Sequence, residues 1–368
     1  MLPSLLAVAV LCCVACADSF QPDDLNNIVG EAMDLYRAHL DPNSKTPSLL
    51  PAENRTLASV NFDWAPTGSP PSYASWTMYF QQQQTYADLP VLTHCVDSTN
   101  VNVWGASFDD GPSENTHVVT DYFARKNMKA TFWVIGSNVP AFPQALLDTF
   151  NAGHDIGIHT WTHAQLTDLS DDDIVSELVY GARAIYEVTG KMPKFFRPPY
   201  GEIDRRVRKI ASSLGLEAVT WSHDTLDWSY VASGSTEQQV PDAFREWLQD
   251  GVTRAITLQH DIFEETVAAV PQSMDLLIDA GRTIVPLSTC LGIPSVFGNP
   301  TLEAFFASGL FENPYSGSPV PPPKHDGGGY SVGFVKGRKT VKAVRVDGPT
   351  KFDKSRSHFN GKRSNGAR

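Results

Sequence analysis

Short apolar runs and stretches of helical period alternate along the chain from Val101 to about Pro286, and this alternation constrains the fold more than any other feature. Short apolar or β-branched runs predict buried strands, whereas apolar residues that recur once per turn predict amphipathic helices. The runs are Val101–Phe108, Ala130–Ile135, Asp155–Ile158, Phe195–Arg197, Ala218–Trp221, Ala255–Gln259 and Thr283–Val285. The helical stretches are 116–127, 138–151, 171–189, 203–214, 239–249 and 264–280. The alternation predicts an α/β fold with a parallel sheet.

These seven runs fit either a doubly wound sheet or an incomplete barrel. The polar residues that suggest chemistry follow the C-terminal ends of different runs, where a barrel gathers its catalytic loops. Contributions from five separate strands are easier to bring together on a ring than on an open sheet. We therefore expect an irregular (β/α) barrel of about seven parallel strands.

Residues 1–17 form a short apolar run that ends in Ala15-Cys16-Ala17, and this pattern predicts a secretory signal peptide. The run is too short to span a bilayer, and no later segment is apolar enough to do so. Asn54-Arg55-Thr56 matches the N-glycosylation acceptor, which fits a surface position in a secreted protein.

Removal of the signal peptide leaves Cys95 and Cys290 as the only cysteines of the mature chain. An even pair in an oxidising compartment favours a disulfide over two buried thiols. The bridge would join the chain just before the first predicted strand to the chain just after the last.

The net charge of −12 conceals an acidic body and a basic tail, because residues from Lys324 onward carry about +9 and the preceding residues about −21. An acidic body argues against nucleic acid as the main partner and suits a neutral or cationic polymer. The tail is rich in Pro, Gly, Lys and Ser, which predicts disorder from about residue 317. It is either a solvating extension or an electrostatic anchor to acidic cell-wall material.

Four segments follow from these features. We expect the signal peptide at 1–17, an N-terminal extension packed on the core at 18–94, the barrel domain at 95–295 and a basic C-terminal extension at 296–368.

Two adjacent aspartates, Asp109 and Asp110, stand at the end of the first predicted strand. Mutual repulsion makes neighbouring carboxylates unfavourable unless a cation or hydrogen bonds separate their roles. The pair is either a solvated Asp-Asp-Gly turn or the first part of a metal site.

His159 and His163 follow the third predicted strand and would share one face of a helical turn, so that both imidazoles can reach one cation. Two histidines and one carboxylate leave an open position, which is the arrangement of a catalytic zinc site. The alternative is a chance pair of surface histidines.

The segment Arg197-Pro198-Pro199-Tyr200-Gly201 offers a fixed cation and a fixed donor. Prolines have no amide hydrogen, so the N–H of Tyr200 is the first donor after them and is suited to an oxyanion. Arg197 could hold a carboxylate in one orientation. The alternative is a proline-rich turn with a surface arginine.

His260 ends the run Ala255–Gln259, where a histidine is either a satisfied core residue or a general acid. An acidic partner such as Asp227 would favour its imidazolium form. Trp228 and Leu258 could form a small apolar pocket, although each could equally belong to the core.

In this order, the five segments resemble the polysaccharide deacetylases of carbohydrate esterase family 4, which share the NodB-like domain. The family patterns S/T-F-D-D-G-P, H-S/T-x-x-H, R-x-P-Y, D-x-x-D-W and L-x-H are all intact, and the resemblance spans about 100–290. The predicted secretion and the stretch from Cys95 to Gly105 look most like the fungal chitin deacetylases of this family.

The resemblance implies a metal site and a base. Asp110, His159 and His163 would bind a divalent metal, zinc or in some members cobalt, and Asp109 would be the general base. Arg197 would orient Asp109.

The resemblance also implies an acid and an acetyl pocket. Asp227 would tune His260 as the general acid, and the Tyr200 amide would bind the acetyl oxygen. Trp228 and Leu258 would enclose the acetyl methyl group. Sugar-chain subsites need exposed aromatic side chains, and those near the motifs are Trp161, Tyr200, Trp221 and Tyr230.

The expected function is metal-dependent hydrolysis of the N-acetyl groups of chitin, giving chitosan and acetate in cell-wall modification. Several fungal members end in a hydrophobic tail for a lipid anchor, whereas this C-terminus is basic, so we expect a soluble secreted or wall-associated protein. We also expect it to be monomeric. One alternative is deacetylation of acetylxylan or peptidoglycan. A second is a non-catalytic glycan-binding protein, although no base or ligand of the family pattern is lost. A third, a structural metal protein, is disfavoured because a closed site needs a fourth protein ligand.

Overall fold

The computed structural model describes residues 57–82, 87–96 and 102–312. Within these ranges, nine strands pair in parallel in one sheet. They are β1 (Val103–Gly105), β2 (Ser107–Asp109), β3 (Thr131–Val134), β4 (Asp155–Ile158), β5 (Phe195–Phe196), β6 (Glu217–Ala218), β7 (His223–Asp224), β8 (Ala255–His260) and β9 (Thr283–Val285). The predicted signal peptide, the Asn54 acceptor and the tail from residue 317 lie outside the described residues.

The helices of the described ranges follow the strands in the predicted alternation. They are α1 (Ala74–Gln81), α2 (Thr116–Arg125), α3 (Pro143–Asn151), α4 (Asp171–Thr189), α5 (Arg205–Ser213), α6 (Asp227–Tyr230), α7 (Thr236–Gln249), α8 (Glu264–Ala268), α9 (Val270–Asp279), α10 (Leu287–Cys290) and α11 (Pro300–Ala307). Over these ranges, no helix combines the length and the hydropathy that crossing a membrane requires.

The first predicted run is one chain segment but two strands, because its partner changes at Ala106. The N–H of Ala106 donates to Val285 in β9, whereas its carbonyl accepts from Thr131 in β3. β1 therefore pairs with β9, β2 pairs with β3, and both pair with β8. After the break, β2 pairs with β3 and β8 and ends at Asp109.

A second break closes the ring. The run predicted at Ala218–Trp221 overlaps β6, which pairs with β5, whereas β7 follows the run and pairs with β8. β6 and β7 are consecutive in the chain, so the backbone at residues 219–222 connects the two ends of the hydrogen-bonded path β6-β5-β4-β3-β2-β8-β7. The predicted irregular barrel is confirmed with nine strands in the described ranges, because the first run divides into β1 and β2 and because β7 lies just after the fifth run.

Helix α4 lies where it was predicted, and its ends show why. The Ser170 side chain accepts a hydrogen bond from the Asp173 N–H at the start, and Gly190 ends the helix with a φ of 67°. The predicted helix 264–280 is instead α8 and α9, which are separated at Ala269. Pro271 lies in the first turn of α9, where its missing N–H leaves no helical bond unmade.

The segments that precede and follow the barrel in the sequence both pack against α4. Trp76 and Phe80 of α1 are completely buried, together with Phe305 of α11. The Trp76 indole N–H donates to the Leu310 carbonyl at 3.0 Å. Burial of a phenylalanine side chain alone contributes about 1.5–3 kcal/mol, so these contacts fix the described parts of both flanking segments on the core.

Cys95 and Cys290 form the predicted disulfide across 195 residues of sequence. The Val96 N–H also donates to the Cys290 carbonyl at 3.0 Å. Gly105 of β1 lies against the bridge, where an added Cβ would stand 3.0 Å from the Cys290 sulfur.

Candidate active site

The predicted site residues meet at one end of the barrel because they follow the carboxyl ends of parallel strands. Asp109 ends β2, His159 follows β4, Arg197 follows β5 and His260 ends β8. β8 pairs with β2 so that His260 lies beside Asp109. The barrel therefore brings together residues that are up to about 150 positions apart in the sequence.

Asp110, His159 and His163 form a cluster of the kind that binds a metal ion. Their ligand atoms all lie within 4.8 Å of one another. Oδ1 of Asp110 is 3.4 Å from Nε2 of His159 and 3.4 Å from Nε2 of His163. These positions agree with the predicted ligand set, and two imidazoles with one carboxylate leave a coordination position open.

The protonation states fit a divalent cation. Nδ1 of His159 lies 2.8 Å from the Arg197 carbonyl, so it donates there and leaves Nε2 unprotonated toward Asp110. Burial lowers the pKa of His163 to about 4, although the Asp110 charge opposes this shift. Oδ1 of Asp110 is buried without a hydrogen-bond partner. A metal ion would satisfy this oxygen and accept the Nε2 atoms of both histidines as ligands, so the residues present fit a zinc-like ion.

Asp110 is ionised despite its burial. Burial raises the pKa of its carboxyl, but the imidazoles of His163, His159 and His260 outweigh this effect and hold the pKa below its ordinary value. A carboxylate that is already charged is the form that a metal requires.

Asp109 lies between this cluster and Arg197, with Oδ2 3.8 Å from Nε2 of His159 and Oδ1 toward the arginine. Nη1 of Arg197 donates to Oδ1 of Asp109 at 2.7 Å, and Nη2 donates to the Thr220 carbonyl at 3.1 Å. The guanidinium also lies 4.8 Å from the Trp133 ring centroid and 5.6 Å from that of Trp221. These contacts fix the arginine from several sides, and the arginine fixes Asp109.

His260 is held by Asp227 through two hydrogen bonds. Nδ1 of His260 lies 2.6 Å from Oδ1 of Asp227, and the His260 backbone N–H donates to Oδ2 at 2.8 Å. Burial disfavours the imidazolium, but Asp227, Asp110 and Asp109 outweigh it and raise the pKa of His260 to about 10. The imidazole is therefore protonated near neutral pH, with Nε2 3.9 Å from Asp110.

The two ligand histidines converge on a bent turn, which corrects the expected helical turn. Thr160 and His163 have φ values of 64° and 61°, outside the right-handed helical region. Asp110, Tyr200 and Leu226 also have positive φ, so five of the six non-glycine residues of this kind in the described ranges lie in the motif loops. Such conformations cost about 1–3 kcal/mol each and persist only where their surroundings enforce them.

The predicted substrate-binding residues differ in exposure. Tyr200 and Trp228 are 53% and 55% exposed, and the Tyr200 ring centroid is 4.7 Å from that of His163. Leu258 is buried in β8 two residues before His260, so both side chains point to the same side of that strand.

The other aromatic residues near the motifs do not form one exposed group. Trp221 and Tyr230 are partly buried, and Trp161 is completely buried. Trp161 therefore cannot stack on a sugar, because residues 57–82 cover it: its indole N–H donates to the Gly68 carbonyl at 3.1 Å.

Two buried carboxylates beside the site were not predicted. Glu177 of α4 accepts hydrogen bonds from the N–H groups of Trp161 and Thr162, both at 2.8 Å. Asp261 accepts from the Thr116 hydroxyl at 2.6 Å, and burial, with the charges of the neighbouring aspartates, raises its pKa to about 7. Gly111 is required next to it, because a Cβ there would lie 2.4 Å from an Asp261 oxygen.

Glu177 carried a usable sequence signal. It lies three residues after Ile174 and so falls on the apolar face of α4, where a carboxylate needs a buried partner. Asp261 carried less, because an acidic residue just after a strand usually faces solvent.

Comparisons with known proteins agree with this arrangement. Residues 97–219 match the family model described as polysaccharide deacetylase. The chain is 40% identical over 189 residues to chitin deacetylase 1 of Cryptococcus neoformans var. grubii, covering 48% of this chain and 40% of that protein. It is 35% identical over 187 residues to the peptidoglycan-N-acetylglucosamine deacetylase PgdA of Listeria monocytogenes, covering 50% of this chain and 38% of that protein.

The fold is also similar to a solved structure. The chitin deacetylase from Colletotrichum lindemuthianum superposes with a TM-score of 0.53 at 26% identity, covering 57% of this chain and 97% of that one. The chain spans less than half the length of the first curated relatives that it matches. The family match, the barrel and the five motifs together confirm the resemblance: the chain contains a polysaccharide deacetylase domain of the carbohydrate esterase family 4 type.

Proposed function

We propose that this protein is a metal-dependent deacetylase that removes N-acetyl groups from chitin and releases acetate. One observation carries the proposal: Asp109, held by Arg197, and the protonated His260, held by Asp227, both lie next to Asp110 of the metal-binding cluster. A base and an acid beside one cation site suit the hydrolysis of an amide, which is a poor electrophile.

Asp110, His159 and His163 would hold the ion. A divalent cation, Zn²⁺ or Co²⁺, supplies Lewis acidity that polarises a carbonyl and makes a water molecule more acidic. Both metals accept imidazole and carboxylate ligands, so this ligand set is compatible with either ion.

Asp109 takes the proton of the attacking water. Its Oδ1 is occupied by Arg197, whereas Oδ2 lies 3.8 Å from Nε2 of His159 and so faces the metal-binding cluster. The arginine thereby aims the other oxygen at the reacting centre.

His260 gives its proton to the departing amine. Asp227 holds Nδ1, so the proton at Nε2 faces the metal-binding cluster. The Tyr200 N–H would donate to the developing oxyanion from the fixed turn after the two prolines. Leu258 and Trp228 would enclose the acetyl methyl group.

Chitin is the proposed substrate because the relatives named as chitin deacetylases include the first four found. The exposed Tyr200 and Trp228 rings are suited to stack on sugar rings. Peptidoglycan is the second candidate, since a relative of nearly equal coverage is named for it.

The proposed setting is outside the cell. The disulfide supports an oxidising compartment. We further propose cleavage after residue 17, glycosylation at Asn54, a monomeric state and electrostatic association of the basic tail with the cell wall. We also propose that the deacetylase domain extends from residue 95 to residue 295.

Acetate release from chitin oligomers, acetylxylan and peptidoglycan tests the function, with chelator treatment and metal add-back in each case. We expect activity on chitin oligomers that chelation abolishes and Zn²⁺ restores. Activity that resists chelation would overturn the metal-dependent mechanism, and activity confined to peptidoglycan would reassign the substrate.

A further inference from the structure

The turn that carries His159 and His163 is held by contacts on both sides. On one side, the N–H groups of Gly136 and Ser137 donate to the carbonyls of Thr160 and Trp161 at 2.9 and 3.0 Å. On the other side, the Glu177 carboxylate accepts from the Trp161 and Thr162 N–H groups. A turn with two left-handed residues needs such contacts, because its backbone conformation is unfavourable in isolation.

Trp161 extends these contacts beyond the barrel. It lies between the two histidines in sequence, and its ring is completely buried. Its indole N–H donates to the Gly68 carbonyl at 3.1 Å, and its ring centroid is 5.9 Å from that of Trp64. Trp64 and Gly68 belong to residues 57–82, which precede the region matched by the family model.

Residues 57–82 are fixed independently of this contact. Trp76 of α1 is completely buried and packs on Phe305 and Phe311 at centroid distances of 5.3 and 5.4 Å. Arg183 of α4 lies 5.7 Å from the Trp64 ring centroid and 5.3 Å from that of Phe311. The segment therefore presents Trp64 and Gly68 to Trp161 from a rigid base.

We propose that residues 57–82 position the metal-binding turn through Trp161, so that a segment outside the family match sets the metal affinity of the site. Trp161 touches neither metal nor substrate and acts as a positioning residue. The inference rests on the proposed metal site but not on the identity of the substrate. Contacts that orient metal ligands typically change metal affinity by about 10–100-fold when they are lost.

The test compares two buried tryptophans in the full chain. Trp161→Phe removes the hydrogen bond to Gly68, and Trp104→Phe is the control, because Trp104 is equally buried but lies in a core cluster that contains neither Trp161 nor residues 57–82. Trp64→Leu, at the partly buried edge of the segment, provides a second route if Trp161→Phe does not fold. The measurement is the Zn²⁺ dissociation constant by competition with a chromogenic chelator, at a temperature where each variant retains its native circular dichroism.

We expect Trp161→Phe and Trp64→Leu to bind Zn²⁺ about tenfold more weakly than the wild type, the lower end of the range for residues that orient ligands. Trp104→Phe should bind it with unchanged affinity, even though its thermal unfolding temperature falls. Equal affinity losses in all three variants would overturn the inference, since they would reflect general destabilisation. Unchanged affinity in Trp161→Phe and Trp64→Leu would also overturn it. A wild-type chain that bound no metal would overturn the proposed metal site together with this inference.

Discussion

Asp109 and Arg197 form an ion pair from which water is almost completely excluded. Their oxygen and nitrogen are 2.7 Å apart, and the side chains are 2% and 0% exposed. The pair separates the functions of the adjacent aspartates, because Asp109 is neutralised by a fixed cation while Asp110 is left for the metal.

Arg197→Met should destabilise the fold, because it leaves the Asp109 charge buried without a partner. We expect the free energy of unfolding to fall by about 3–5 kcal/mol. The double variant Asp109→Asn with Arg197→Met should recover part of this loss. Arg205→Met is the matched control: its pair with Asp88 is largely exposed, so it should lose less than about 1 kcal/mol. Denaturant unfolding measures all of them, and similar losses in both single variants would contradict the expectation.

Asp109→Asn should separate catalysis from metal binding. The amide keeps the shape of the side chain but cannot take a proton, so we expect turnover on chitin oligomers to fall by about 10²–10⁴-fold while Zn²⁺ remains bound. His159→Ala should lose both the metal and the activity, since it removes a ligand. Metal content and acetate release are measured on the same samples. Near-normal turnover in Asp109→Asn would exclude this residue as the base.

His260→Ala should affect amide substrates more than activated esters. An amine leaving group needs the proton of His260, whereas a nitrophenolate leaves without one. We expect acetate release from chitin oligomers to fall by about 10²-fold or more, with a much smaller loss on 4-nitrophenyl acetate. Asp109→Asn serves as the comparison, because the loss of the base should slow both substrates. A parallel loss on both substrates in His260→Ala would argue against a role as general acid.

His154 should make the fold sensitive to acid at a distance from the active site. It is 2% exposed, its Nδ1 accepts from the Ala130 N–H, and burial lowers its pKa from 6.5 to about 4. The unfolded chain therefore binds this proton more tightly than the folded one. Stability from this group is complete above pH 6.5 and is lost as the pH falls toward 4, by up to about 3 kcal/mol.

The matched variant is His154→Asn, whose side-chain oxygen can accept from the same N–H but does not titrate. Denaturant unfolding between pH 7 and pH 4, with chelator present throughout, should show a shallower pH dependence in the variant. Identical pH dependences would show that His154 is not a source of the acid sensitivity.

Sequence periodicity was sufficient for the barrel but not for its closure. The runs and helices were predicted because burial imposes a local period, as in α4 with its Ser170 cap. The breaks at Ala106 and between β6 and β7 were missed, since a change of strand partner depends on chain segments far away in sequence. In the first run, the apolar residues continue across Ala106, so the sequence does not show where the strand partner changes.

The site residues were placed through motifs, whereas their surroundings were not. The five motif segments converge as expected, because parallel strands bring their ends together. The four-residue spacing of His159 and His163 predicts a helical turn, but this spacing alone does not distinguish a helical turn from the bent turn at Thr160. The sequence also suggests Trp161 as an exposed aromatic residue. Its burial by residues 57–82 could not be predicted, because those residues carry no motif that indicates the contact.

The left-handed residues of the motif loops lower the conformational stability of the protein but fix the positions of the site residues. Strain at Asp110, Thr160, His163, Tyr200 and Leu226 lies in the loops, while the strands below them are regular. Replacing an exposed member such as Tyr200 by glycine would relax the backbone and could make the protein harder to unfold, at the expense of a fixed N–H. The carboxyl end of the barrel is therefore the part of the described structure where backbone stability is given up to hold the site residues in place.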